Sequence, residues 1–422
     1  MATTLLSPTA LPINRTRQPA PEAPAPDRVL AEMLRGYRPL EEVVAGLRLS
    51  WRQRLFTRLM VVAVHVYRLF VLPFRRRALR DLHAELEALR GQRIRTLGAA
   101  QNHFPESERA AFERDGMLGP FRVMAPEEVE ALTDEIRAGF ATGFDGKTVL
   151  GDPLKSVLQK HGAWTNQMAG MYQALRMPAL REVLRRPPVA ERLAGILGDE
   201  VMCWRTQFFE KAPGAEGTFW HQTSTFRESS TAAKLMPTEP MDDAIVQLTV
   251  WMALTDVTIE NGALRMVPGS FTDGRIEHLY YFAMDNLMLF LAMLPTARLA
   301  TYLAVAKFST GNFIRSQAVL EAALDLLDES PFVGREVRDL AMRAGECVIF
   351  TSLNMHASHP NSTADATRLS FVARCAANHV LAEQHAYEHP TPEGTVSAPL
   401  PEVTCFQVHG TDSYGLNHVM ND

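Results

Sequence analysis

The stretch from Ile245 to Thr255, IVQLTVWMALT, alternates with a period of two, and an α-helix cannot satisfy that pattern. Its even positions, Val246, Leu248, Val250, Met252 and Leu254, are all apolar, while Gln247, Thr249 and Trp251 take odd ones. Such a strand lays one face on a core and presents polar groups and an indole on the other. Strand patterning begins beyond Gly198 and returns at GECVIFTS and TRLSFVARCAA. A helical stretch from about Arg275 to Arg343 lies between, and Asn261-Gly262 reads as a hairpin turn ahead of it. Strands, a helical excursion and strands again predict one mainly β domain with helical additions, not two separate domains. No internal repeat is evident.

The rest of the chain divides around that domain. Residues 1–27 are rich in Pro, Ala and Thr, cannot bury a core, and are expected to be a disordered tail. Residues 28–104 read as a helical N-terminal extension, and 105–422 as the β domain with its insert at about 275–343. Within the latter, Ala125-Pro126-Glu127-Glu128 has the proline and acids of a helix first turn. The segment from Leu59 to Arg77, LMVVAVHVYRLFVLPFRRR, is strongly apolar, but His65 and Arg68 interrupt it and Pro73 ends it. A spanning helix needs roughly 20 uninterrupted apolar residues. Two readings stay open: a helix buried against the main domain, or an interfacial helix with Arg75, Arg76 and Arg77 near lipid head groups.

A net charge of -5 argues against a nucleic-acid partner, whose footprint is a strongly basic face. Cys203, Cys347, Cys375 and Cys405 are far apart, which suggests neither a disulfide framework nor a zinc site. A reducing cytoplasm fits, and the first residues lack the pattern of a signal peptide.

Chemistry-bearing residues cluster in two places. In FWHQTSTF, His221 and Thr223 point to one face of a strand, because side chains alternate. A second histidine group, LNMHASHPNS, ends the GECVIFTS strand. After it, Arg368, Ser370, Val372 and Arg374 share one face, and Leu369, Phe371, Ala373 and Cys375 the other. Two arginines on a largely apolar strand need anionic partners, and a dicarboxylate would supply one through a bidentate contact.

The pieces DGMLGPF, WHQ, VWMALTDVTIENGALRMVPGSF and HASHPNS, followed by Arg368, occur in an order that resembles the phytanoyl-CoA dioxygenase superfamily. The resemblance implies a double-stranded β-helix, a jelly-roll or cupin-like core. It also implies Fe(II) bound by two histidines and, usually, an Asp two residues after the first, with 2-oxoglutarate and O₂ as cosubstrates. His221 and His356 take the histidine positions; the string His-Ala-Ser followed by Asn-Ser favours His356 over His359. Arg368 takes the position that pairs with the distal carboxylate of 2-oxoglutarate, with Ser358 and Thr218 as lesser candidates. Imidazole and oxygen ligands with open positions suit Fe(II).

One position departs from that pattern. Where His-x-Asp is expected, the chain has His221-Gln222-Thr223. Loss of that acid resembles the syringomycin-type nonheme iron halogenases, where Ala or Gly stands there and chloride occupies the vacated site. FFEKAPGAEGTFWHQ, MHASHPNS and VHGTDSYGLNHV are similar to that subfamily, and Arg374 sits where it carries a second arginine. Thr223 leaves three readings open: a hydroxyl that turns aside beside chloride, a water in a two-histidine hydroxylase, or a dead site. Phe209, Glu210 and Trp251 are candidate substrate residues. The resemblance implies an acyl or aminoacyl group tethered to a carrier protein. The apolar insert would either cover the site mouth or bury itself structurally. From a different class, a non-catalytic small-molecule-binding β-helix is the alternative.

Overall fold

The computed structural model describes residues 49–75, 104–142, 172–223, 234–273, 287–293, 299–304, 336–382, 386–391, 394–399 and 405–420, plus isolated positions between 77 and 84. The predicted tail 1–27, most of the extension 28–104 and most of the insert at about 275–343 lie outside those residues.

Helix α1 (Trp51–Phe70) opens with a capping box, in which Ser50 and Gln53 each accept the other's backbone N–H. Helix α2 (Glu106–Asp115) ends at Gly116, whose φ of 65° turns the chain into β1 (Met117–Arg122). Helix α3 (Pro126–Thr142) starts where the sequence places its proline and acids. Glu128 accepts the Ala125 N–H at 2.8 Å there and pairs with Arg186. Helices α4 (Pro178–Arg185) and α5 (Pro187–Leu197) follow, each with Pro in its first turn. The period then changes at β2 (Val201–Lys211), as predicted.

Further along come β3 (Thr218–His221), β4 (Leu235–Pro237), β5 (Leu248–Ala253), β6 (Leu264–Met266), helix α6 (Leu287–Met293) and β7 (Arg338–Leu340). The chain ends with β8 (Glu346–Thr351), β9 (His356–Ser358), β10 (Arg368–Ala377), β11 (Val380–Ala382), β12 (Ala386–Thr391), β13 (Gly394–Pro399), β14 (Cys405–His409) and β15 (Val419–Met420). Seven strands form one sheet in the order β1-β8-β5-β10-β2-β14-β15, and four form a second, β3-β9-β6-β7.

The two sheets face each other across a shared core. Trp251, Ala253, Val348, Phe350 and Val372 of the larger sheet pack with Leu264, Met266 and Leu340 of the smaller one. The outer face of the larger sheet is covered by helices: Leu248, Val250 and Met252 lie in one cluster with Val129, Leu132, Ile136, Leu180 and Leu193. Crossing connections between two facing sheets make this mainly β fold a double-stranded β-helix, the architecture of the resemblance.

The predicted strand at 245–255 is corrected in two respects. Residues 243–245 form a short 3-10 turn, so the strand begins at Leu248. Both its faces are buried, because helices cover one and the second sheet covers the other; the indole of Trp251 therefore lies in the inter-sheet core. Asn261-Gly262 does turn the chain, with Asn261 Oδ1 accepting from the Thr258 N–H at 2.8 Å. It makes no hairpin, however, since it carries the chain from β5 in one sheet to β6 in the other. Residues 338–340, expected to be helical, are strand β7 paired with β6. The four cysteines are free and buried.

Candidate active site

The smaller sheet holds the two histidines opposite one another. Strands β3 and β9 pair antiparallel, with His221 in register with His356 and Thr218 with Ser358. The imidazole centroids are 4.2 Å apart, inclined at 47°. His356 is buried, and its Nδ1 lies 2.8 Å from the Asn354 carbonyl. A carbonyl accepts only from an N–H, so Nδ1 carries the proton and Nε2 keeps its lone pair. Burial first, then His221 and Arg374 nearby, push the His356 imidazole well below its ordinary pKa and keep it neutral. The ring of Phe350 packs edge-on against it at 5.0 Å.

The segment after His221 is fastened to the loop that precedes His356. The Thr223 N–H donates to the Ser352 carbonyl at 2.7 Å, and the Gln222 amide donates to the Leu353 carbonyl at 2.7 Å. Ser352 is itself held by Gln247, whose side-chain oxygen accepts from the indole of Trp204. These ties bring the Thr223 hydroxyl to 3.3 Å from Nε2 of His356. Among the described residues, no group of three or more His, Cys, Asp and Glu assembles in any one place, so no carboxylate joins this pair. His359 faces elsewhere: its Nε2 meets Asp339 at 2.8 Å, and Asp339 also pairs with Arg265 at 2.9 Å.

A second feature lies where the other end of β3 and β9, at Thr218 and Ser358, meets β2 and β10 of the larger sheet. Arg368 and Lys211 are cross-strand partners on β10 and β2, and both are buried. The Lys211 ammonium donates to Ser358 Oγ at 2.8 Å and to the His359 carbonyl at 2.6 Å. Ser358 Oγ also accepts the Thr218 N–H at 3.1 Å. Arg368 donates to the Gly262 carbonyl at 3.1 Å and stands 5.4 Å above the ring of Trp251, while its Nε has no partner. Neither cation has a carboxylate partner among the described residues. Burial lowers Arg368 to about 10, and burial followed by Arg368 lowers Lys211 to about 7. Two adjacent buried cations demand an anion, because an uncompensated buried charge is costly.

Gly262 lies at this point for a steric reason. Its φ is 105°, and a Cβ there would stand 2.5 Å from Cδ of Lys211.

Arg374 lies further along β10, opposite Arg205 of β2 and Thr249 of β5, and donates to the Thr249 hydroxyl at 3.3 Å. Burial, then Arg205, lowers its guanidinium to about 9. Phe209 is half-buried and packs on the inter-sheet core. Glu210 requires a correction: it is exposed and in register with Leu369, which belongs to the helix-covered outer cluster. The period of two turns it away from Phe209 and Lys211. Lys211, Asn354 and Arg205 were not singled out from sequence. Alternation along β2 was the usable signal for Lys211 and Arg205, since both share a face with Phe209.

The model of the phytanoyl-CoA dioxygenase (PhyH) family matches residues 112–370, more than half of the chain. The chain belongs to the PhyH family. As a PhyH protein it is a nonheme Fe(II)/2-oxoglutarate-dependent oxygenase. Among solved structures it is similar to "CytC3 with Fe(II) and alpha-ketoglutarate", at 24% identity over 75% of this chain and 93% of that one, TM-score 0.47. It is also similar to a ThoJ–nickel complex described as a non-heme monooxygenase (18%, covering 74% and 87%, TM-score 0.43). A third is the epimerase SnoN with Fe3+, alpha ketoglutarate and nogalamycin RO (19%, covering 72% and 98%, TM-score 0.43). No curated protein matches the sequence. The residues of this PhyH chain fit both groups: a pair of adjacent imidazoles suits Fe(II), and the Arg368–Lys211 pair, with the orphaned Nε of Arg368, suits a carboxylate.

Proposed function

We propose that this oxygenase is a halogenase that chlorinates an unactivated aliphatic C–H bond in natural-product biosynthesis. One observation carries the reading. The rings of His221 and His356 face each other at 4.2 Å, and the side chain placed where an acid would complete the site is the neutral Thr223, 3.3 Å from Nε2 of His356.

Bound iron, with 2-oxoglutarate and O₂, supplies the oxidising power to take hydrogen from an unactivated carbon. His221 and His356 would hold the metal. Thr223 is a poor ligand at neutral pH, so it leaves a position for chloride, and its hydroxyl can donate to that anion. The charge of Arg374, felt at His356, favours an anion there. Lys211 and Arg368, with Ser358 and Thr218 beside them, would hold the distal carboxylate of 2-oxoglutarate. Phe209 and Trp251, on the inward faces of β2 and β5, would help to place the reacting carbon, and its distance from the halide selects the product. The resemblance to the chlorinating subfamily supports an acyl or aminoacyl substrate carried by a partner protein, and the four free cysteines suit a reducing cytoplasm.

A second reading, hydroxylation, is favoured by the same 3.3 Å approach, which places a methyl-bearing side chain where a halide must fit. Chloride titration of the anaerobic Fe(II)/2-oxoglutarate protein, followed by visible absorption, separates the two. Succinate yield and product mass with and without chloride complete the test. A saturable chloride response with chlorinated product supports the proposal; no response with oxygenated product selects hydroxylation.

A further inference from the structure

Helix α1 is amphipathic in the wrong direction for a helix packed on a globular body. Its inward contacts are Thr57 and Val64, both buried, and Arg68, which donates to the Ala292 carbonyl at 2.8 Å and the Leu291 carbonyl at 3.4 Å in the last turn of α6. Of the two readings left open for this apolar segment, burial against the main domain is thereby corrected. Trp51, Leu55, Leu59, Val62, Val66 and Leu69 follow one another at spacings of three and four and form a single stripe on the opposite side. All are solvent-facing, from 48% exposed at Leu55 to 71% at Leu69, and Phe74 just beyond is 86% exposed. Such a stripe on a free surface is costly unless something covers it.

The charges say what covers it. Between Trp51 and Arg80 the chain has eight arginines and neither Asp nor Glu. At 100° per residue, the exposed Arg52 and Arg58 border the stripe on either side. Arg75, Arg77 and Arg80 are exposed beyond its end. A second copy of this face would set arginine against arginine with no acid of the segment to pair them. The helix is about 30 Å long, and no described helix is long and apolar enough to cross a membrane. It also precedes the part matched to the family, residues 112–370.

We propose that α1 is an interfacial anchor, which lays its apolar stripe into an anionic lipid surface while the flanking arginines meet the head groups. The proposal is independent of the reaction catalysed. The test is sedimentation of the full chain with vesicles of phosphatidylcholine alone and of phosphatidylcholine with phosphatidylglycerol, at low and high salt. The expected result is binding that needs the anionic lipid, weakens with salt, and falls about tenfold or more in the double variant Leu59→Glu/Leu69→Glu. Fe(II)-dependent 2-oxoglutarate turnover in that variant should equal the parent's, which shows that it is folded. Equal sedimentation of parent and variant, or none by either, overturns the proposal. A parent dimer that the variant dissociates, seen by light scattering, overturns it in favour of self-association.

Discussion

The hydroxyl of Thr223 lies 3.3 Å from Nε2 of His356, the ring nitrogen left with its lone pair because Nδ1 donates to the Asn354 carbonyl. The threonine therefore stands beside the one atom of His356 that a metal can take. It brings no charge and one weak donor, where a carboxylate would bring an anionic ligand. The chemistry proposed for this chain follows from that contact.

The first prediction concerns the imidazole pair. With only two protein ligands proposed, neither can be spared, so His221→Ala and His356→Ala should each lower Fe(II) affinity by more than about a hundredfold and abolish succinate formation. Anaerobic Fe(II) loading measures the first effect and 2-oxoglutarate consumption the second. Full activity in either variant would mean that the metal is held elsewhere.

Thr223→Asp should place a carboxylate in the position assigned to chloride. The chloride-dependent absorption change and any chlorinated product should vanish, while succinate is still formed. A variant that chlorinates as well as the parent sinks the vacancy argument.

Loss of the guanidinium from the cation pair should show in cosubstrate binding. Arg368→Ala is expected to weaken 2-oxoglutarate by about 2–5 kcal/mol, the cost of a lost buried ion-pair partner. Titration calorimetry reads this directly, and an unchanged affinity would count against the assignment.

Lys211 gives the pH dependence. Burial lowers its pKa from 10.5 to about 7, so the ammonium is present below about pH 7 and lost above it. An anionic cosubstrate prefers the charged form. Affinity for 2-oxoglutarate should therefore decline as pH rises through 7, with proton uptake on binding above that point. Lys211→Met should flatten the profile. A parent with no pH dependence between 6 and 8.5, roughly the window set by that pKa, would contradict this.

Gly262→Ala should be destabilising although the change is one methyl group. The φ of 105° strains any other residue, and the new Cβ would press on the Lys211 side chain. A loss of about 1–3 kcal/mol in urea unfolding is expected. Weaker 2-oxoglutarate binding should accompany it, because Arg368 donates to the Gly262 carbonyl.

Strand alternation is local covalent geometry, so it was legible residue by residue. It grouped Arg368, Ser370, Val372 and Arg374 on one face, apart from Leu369, Phe371, Ala373 and Cys375 of the outer cluster, and foretold the change of period after Gly198. The missing acid at position 223 is a matter of composition and needed no coordinates. Alternation could not say what each face would meet. It left Trp251 facing an unspecified partner and put Glu210 among the substrate candidates, when one is buried between sheets and the other is exposed on the outer side.

Which strands become neighbours is decided by the register of segments far apart in the chain. That register sets His221 across from His356 while His359 turns to Asp339, and it brings Lys211 beside Arg368. It is equally a tertiary matter that α1 keeps its apolar stripe outward, because Arg68 and Val64 take the inner side. The sequence by itself determined which side chains share each face and which chemistry is missing. Only the folded chain decided which faces meet, because burial and charge pairing depend on partners that local periodicity cannot name.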